Sequence, residues 1–164
     1  MIVLGIDPGL AHTGWAVIEK IRSPRGENLK LENCGCIKTD ANTNLPQRLL
    51  QIFSELNEVI EKYMPDVLCI EKQYLYQNSQ IVLSISQARG VILLAAAKNN
   101  IGVNEYNPKE VKVAITGYGS ADKQQVRNMV KYLLKVKSIP KPDDITDAVA
   151  VGLCHINTAR SVTS

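Results

Sequence analysis

Four acidic residues stand where a solvated surface accounts for them poorly. Asp7 ends the apolar run Met1 to Ile6 and precedes Pro8-Gly9, Glu71 follows the apolar run Val67 to Ile70, and Asp144 and Asp147 open an apolar helical stretch. A carboxylate at a strand end can project beside a sheet, while one in mid-strand would have to be buried. The i, i+3 spacing of Asp144 and Asp147 puts both on one helix face. Three separated segments can therefore bring acid to one sheet edge. Like charges held together raise one another's pKa values and repel, so such a cluster calls for cations. Hard carboxylate oxygens suit Mg²⁺ or Mn²⁺, which keep several waters and bridge to substrate phosphates. Two such ions about 4 Å apart can activate a water and stabilise the leaving oxygen of an in-line phosphodiester displacement. Each acid also has a plainer role. Asp7 can begin a turn, Glu71 can end an exposed strand, Asp143 or Asp144 can cap a helix, and Asp147 suits a helix's first turn. Their joint arrangement, not any one of them, points to phosphodiester chemistry.

Charge along the chain agrees. The formal net charge is +3, but eight basic residues lie between Lys109 and Lys141 (Lys109, Lys112, Lys123, Arg127, Lys131, Lys135, Lys137, Lys141). Only Glu110 and Asp122 oppose them, so the rest of the chain is net negative. A Lys-rich stretch is often only a solvated helix face. Clustered on one surface, the same residues supply sequence-independent affinity for a phosphate backbone.

The elements that must position these groups follow from periodicity. Met1 to Ile6, Thr13 to Glu19 and Leu29 to Lys38 read as three antiparallel strands, with a hairpin tip at Ser23 to Gly26. Leu45 to Tyr63 carries apolar residues at helical spacing until Pro65 ends it. Val67 to Ile70 is a short buried strand. A helix covers about Asn78 to Lys98, with Ala88 and Gly90 in its middle, where a glycine costs about 1 kcal/mol against alanine unless another helix packs closely there. Gly102 to Tyr106 is a fifth strand, and short helices follow near Pro108 to Ile115, Ala121 to Val136 and Asp143 to Thr158. Three antiparallel strands before an alternating βα part predict an α/β mixed five-stranded sheet flanked by helices, the ribonuclease H-like architecture.

The 164 residues, 45% hydrophobic and 21% charged, fit one globular domain over 1–164, long enough to bury a core without a staple. The longest apolar run, Val91 to Ala97, is far short of the roughly 20 residues of a membrane span. Asp7 interrupts any signal-peptide core. Cys34, Cys36, Cys69 and Cys154 form no C-x-x-C pair, so a zinc ribbon or redox motif is not expected. Cys69 and Cys154 read as small buried hydrophobes in a reducing compartment, and the expected location is cytoplasmic. His12 is expected in a solvent-facing turn, with a secondary role near phosphate as the alternative, and His155 in packing or at the surface.

The ordered motifs Gly5-Ile6-Asp7-Pro8-Gly9-Leu10 with Thr13-Gly14, Ile70-Glu71, Gln87-Ala88-Arg89-Gly90, Gly119-Ser120-Ala121-Asp122-Lys123 and Asp144-Ile145-Thr146-Asp147-Ala148 resemble the RuvC family of Holliday junction resolvases, from residue 1 to about 157. The resemblance implies a ribonuclease H-like fold, a homodimer and Mg²⁺-dependent symmetric cleavage of a four-way DNA junction in recombination and repair. It also implies two ions per site, with Mn²⁺ able to substitute. Carried over by position, Asp7, Glu71, Asp144 and Asp147 become the metal ligands, with the choice between Asp143 and Asp144 left open. Lys112 and Lys123 become basic residues near the scissile phosphate, where Lys123 would stabilise the transition state. Arg89 and Arg127 join them as DNA contacts. Tyr74 matches an aromatic position that inserts at the junction centre, where stacking on a base is worth roughly 1–3 kcal/mol; an ordinary half-buried tyrosine is its alternative. The Gly90 helix would pack against its mate in a two-fold dimer suited to a two-fold junction. A branch-migration motor is a further partner to consider.

The sequence departs from the bacterial pattern at Leu10-Ala11-His12 and at Ser23 to Asn28, which enlarges a hairpin. That leaves open a phage-like relative cutting several branched DNAs or flaps, a YqgF-type nuclease acting on RNA, and a junction binder without chemistry. Actin-like ATPases share the opening strand and glycine turn but need a duplicated domain.

Overall fold

The computed structural model describes residues 1–24, 26–72 and 79–158. Its chain order is β1 (Ile2–Asp7), β2 (His12–Ser23), β3 (Gly26–Lys38), α1 (Leu45–Tyr63), β4 (Val67–Glu71), α2 (Ser79–Lys98), β5 (Gly102–Tyr106), α3 (Pro108–Thr116), α4 (Lys123–Leu134) and α5 (Asp143–Thr158). The five strands form one sheet in the order β3-β2-β1-β4-β5. β1 runs antiparallel to β2 and parallel to β4, and β4 parallel to β5. This is the mixed α/β, ribonuclease H-like sheet expected from the pattern of elements.

Period-two alternation splits the core into two layers. Leu4, Ile6, Leu68 and Ile70 point to the face covered by α1 and α2, where Ile52, Leu56 and Ile92 meet them. Val3, Val67 and Cys69 point to the opposite face, against Ala148, Val151 and Leu153 of α5 and the apolar sides of α3 and α4. Cys69 and Cys154 are buried there as free thiols, and burial pushes the Cys154 thiol up to about 12.

Helix ends follow local chemistry. Asn44 caps α1, accepting from the Gln47 amide, with Pro46 in the first turn. α4 begins at Lys123, two residues later than periodicity suggested, because Asp122 and Gln125 form a reciprocal capping box that closes the helix start. The hairpin enlargement expected at Ser23 to Asn28 is a longer ribbon rather than a longer loop. Pairing continues out to Ser23 opposite Gly26, so Gly26 to Asn28 are strand, and β2 and β3 outrun β1, whose pairing with β2 stops at Glu19.

Candidate active site

Parity carries the two strand acids to one face. Ile6 pairs with Ile70 in the parallel register, so the next residues, Asp7 and Glu71, leave neighbouring strands side by side. Both share the parity of Val3 and Cys69, and therefore project toward α5 rather than α1 and α2.

The N-terminal part of α5 is brought onto this edge by two glycines. A Cβ on Gly5 would stand 2.1 Å from the Ala148 carbonyl oxygen, and one on Gly14, the antiparallel partner of Asp7, would stand 2.1 Å from the Asp144 carbonyl oxygen. Only a residue without a side chain admits the helix backbone that close. Thr13, fully buried, donates its hydroxyl to the Gly9 carbonyl at 2.6 Å and so holds the Pro8-Gly9 turn closed.

The four carboxylates then face one another. Burial pushes the Asp7 carboxyl up to about 8, helped by the charges of Asp147, Glu71 and Asp144 and opposed by Lys123. Glu71 is raised by burial and by Asp147, with Lys112 and Lys123 pulling the other way. Asp147 is raised by burial, which Lys123 opposes and Asp144 reinforces. Three acids that resist ionisation in one place form a site built for added positive charge.

The structure separates Asp143 from Asp144. Asp143 Oδ1 accepts from Arg127 at 2.8 Å and from Lys141 Nζ at 2.6 Å, and these cations hold its carboxyl below the usual range. Asp144 instead acts on Asp7. Among the described residues, no group of three His, Cys, Asp or Glu side chains is drawn in closely enough to hold an ion unaided. An Mg²⁺ site needs only one or two carboxylates, completed by waters and substrate phosphate, so this donor set fits that ion.

Two cleft walls flank the acids. On one side Lys112 and Lys123 join Glu71 and Asp147 around a cavity of about 240 Å³, with Lys123 Nζ 3.9 Å from Asp147 Oδ2 and its side chain 82% exposed. On the other side a cleft of about 470 Å³ includes Asp7, Asp144, His12 and Arg48. Arg48 was not singled out by sequence, since it lies on an amphipathic helix far in sequence from the basic window. The Leu-Pro-Gln-Arg start of α1 carries no spacing signal for it.

Two basic residues expected as DNA contacts also make contacts within the chain. Arg89 donates to the Glu71 backbone carbonyl at 3.2 Å and pairs with Glu105. Arg127 bonds Asp143 and the Ile139 carbonyl. These contacts tie α2 to the ends of β4 and β5, and α4 to the start of α5. Tyr74 lies outside the described residues. His12 is exposed at the start of β2, and His155 is half-buried with Nδ1 2.7 Å from the Tyr106 hydroxyl.

Comparisons with known proteins find relatives over nearly the whole chain. The family model described as crossover junction endodeoxyribonuclease RuvC matches residues 3–155. The crossover junction endodeoxyribonuclease RuvC of Endomicrobium trichonymphae is 48% identical over 158 residues, covering 96% of this chain and 82% of that protein. That of Caldicellulosiruptor saccharolyticus is 47% identical over 162 residues, covering 99% and 96%. Thermus thermophilus RuvC in complex with Holliday junction substrate superposes with a TM-score of 0.92 at 31% identity, covering 99% of this chain and 97% of that one. With the carboxylate cluster at the ends of β1, β4 and the start of α5, the chain belongs to the RuvC family of crossover junction endodeoxyribonucleases.

Proposed function

We propose that this protein resolves four-way DNA junctions by metal-dependent phosphodiester hydrolysis, with residues 1–164 acting as one nuclease unit. The observation that carries this reading is the convergence of Asp7, Glu71, Asp144 and Asp147 from three chain segments, faced by Lys112 and Lys123 across a phosphate-sized cleft. Asp7, Glu71, Asp144 and Asp147 would hold Mg²⁺, with Mn²⁺ as a substitute. A pair of such ions would supply an activated water and charge stabilisation at the leaving oxygen. The chain's own contribution is positional. The carboxylates would hold the ions at the sheet edge, while Lys123, exposed beside Asp147, places a cation where negative charge develops on the phosphate. Lys112 and the Lys-rich α4 draw in the DNA backbone.

A second copy of the chain completes the reading. The outer face of α2 exposes Leu83 (58%) and Leu94 (59%), and a Cβ on Gly90 between them would meet open space within the protomer. An exposed apolar stripe with a glycine whose side of the helix is open among the described residues fits a close helix contact between two copies. A two-fold dimer would present two sites to the two opposed strands of a junction. No helix of the described residues is long and apolar enough to cross a membrane, in keeping with cytoplasmic action on DNA, where a branch-migration motor would be a partner.

The test is cleavage of a strand-labelled four-way junction with Mg²⁺, beside EDTA and Asp7→Asn controls and beside flap, duplex and RNA substrates. Symmetric nicks giving ligatable duplexes, lost in both controls, are the expected result. Binding without nicks would overturn the hydrolytic reading. Preference for flaps or RNA would keep the metal site and replace the substrate.

A further inference from the structure

The acidic cluster has cations on both flanks, and only one flank belongs to the basic window. On the Asp7 and Asp144 side, Arg48 of α1 lines the cleft. Its Nε donates to the Thr39 hydroxyl at 2.8 Å. The Thr39 hydroxyl in turn donates to the Leu10 carbonyl at 2.5 Å, and the Thr39 backbone N–H donates to the Ala11 carbonyl at 3.1 Å. Arg48 is therefore oriented by a residue bonded twice to the loop that follows Asp7. One guanidinium nitrogen is committed to this anchor. Among the described residues, the two terminal nitrogens have no hydrogen-bond partner and Arg48 makes no ion pair, not even with Asp7 or Asp144 across the cleft.

An arginine held by Nε with its outer fork unused is pre-organised for an anion that offers two oxygens side by side. The anion class this cleft admits is a phosphodiester, because it opens beside carboxylates that would be shared with bound cations. Resting on the junction-cleavage reading above, we propose that Arg48 grips a phosphate of the cut strand next to the scissile one, on the side opposite Lys123. The strand then runs from the Lys112 and Lys123 wall, across the carboxylates, to Arg48. Contacts on both sides of the reacting phosphate fix its orientation for in-line attack, which one flank of flexible lysines cannot do.

The test is junction binding by fluorescence anisotropy in EDTA for wild type, Arg48→Ala, Arg48→Lys and Thr39→Val, with thermal melts to verify folding. The junctions carry single methylphosphonates stepped along the cut strand. Arg48→Ala is expected to weaken binding about tenfold, the size of one charge-assisted contact, and to lower the salt slope of the affinity by about one. One methylphosphonate beside the cut position should weaken wild type and leave Arg48→Ala unaffected, a non-additivity that a purely structural role would not produce. Arg48→Lys should recover the salt slope but only part of the affinity. Thr39→Val keeps the charge and loses the anchor, so it should weaken binding less than Arg48→Ala. Equal affinity and salt slope in wild type and Arg48→Ala, or equal methylphosphonate losses at every position, would overturn the assignment. A wild type that binds and cuts junctions while Arg48→Ala matches it sinks Arg48 alone; a wild type that binds no junction sinks both readings.

Discussion

The acidic cluster should make the metal-free protein less stable as pH rises, and Asp7 is the residue through which to measure it. Its carboxyl is pushed from 3.8 up to about 8, so between those values the folded state holds a proton that the unfolded chain has released. Stability then falls as pH rises through this window, the reverse of the behaviour of a salt-bridged carboxylate. At 1.36 kcal/mol for each tenfold change in proton affinity, the rise corresponds to a ceiling of about 6 kcal/mol. Water and counter-ions entering the cleft screen part of it, leaving about 2 kcal/mol at pH 8.5. Asp7→Asn keeps the shape and removes the charge. In EDTA at pH 8.5 it should melt about 4–8 °C above wild type for a domain of this size, and the gap should close by pH 4. Glu71 and Asp147 are raised as well, so the variant keeps a shallower slope of the same sign. Millimolar Mg²⁺ should raise the wild-type melting temperature at pH 8.5 more than that of the variant, because bound cations relieve the same repulsion. Thermal melts across pH 4 to 9 with and without metal read all of this. A variant no more stable than wild type at pH 8.5, with an unchanged pH slope, would refute the account of the cluster.

Other substitutions probe separate links. Lys123→Ala should slow junction cleavage by 10²- to 10³-fold while changing junction affinity little, since its side chain is exposed beside Asp147; equal losses in single-turnover rate and in binding would make it a backbone contact only. Gly14→Ala forces a Cβ into the Asp144 carbonyl, so it should cost about 1–3 kcal/mol in urea melts and abolish cleavage by displacing the first turn of α5. Leu94→Glu on the exposed face of α2 should yield monomers by analytical ultracentrifugation without lowering monomer stability; a dimer that persists would place the interface elsewhere.

Much of this protein is legible in one dimension, because its signals are local and periodic. The unbroken apolar runs Met1 to Ile6 and Val67 to Ile70, helical spacing from Leu45 to Tyr63 and the halt at Pro65 define elements that put Asp7 and Glu71 at strand ends, while the parallel register of β1 and β4 puts them side by side. The i, i+3 pair Asp144 and Asp147 is equally local. What sequence could not decide depends on which backbones approach. The absence of a side chain at Gly5 and Gly14 has meaning only once α5 lies against them, and that contact sets Asp144 rather than Asp143 toward Asp7. The resemblance likewise gave Arg89 and Arg127 as DNA contacts, and folding adds for each a partner distant in sequence, Glu105 with the Glu71 carbonyl for one and Asp143 for the other. Arg48 is the converse case. An unremarkable arginine on an amphipathic helix becomes a candidate phosphate contact because Thr39, at the end of β3, and the loop after Asp7 converge on it. Period and turn chemistry act over a few residues and can be read along the chain. Ion pairing and close approach act through space, and only the tertiary fold decides between partners.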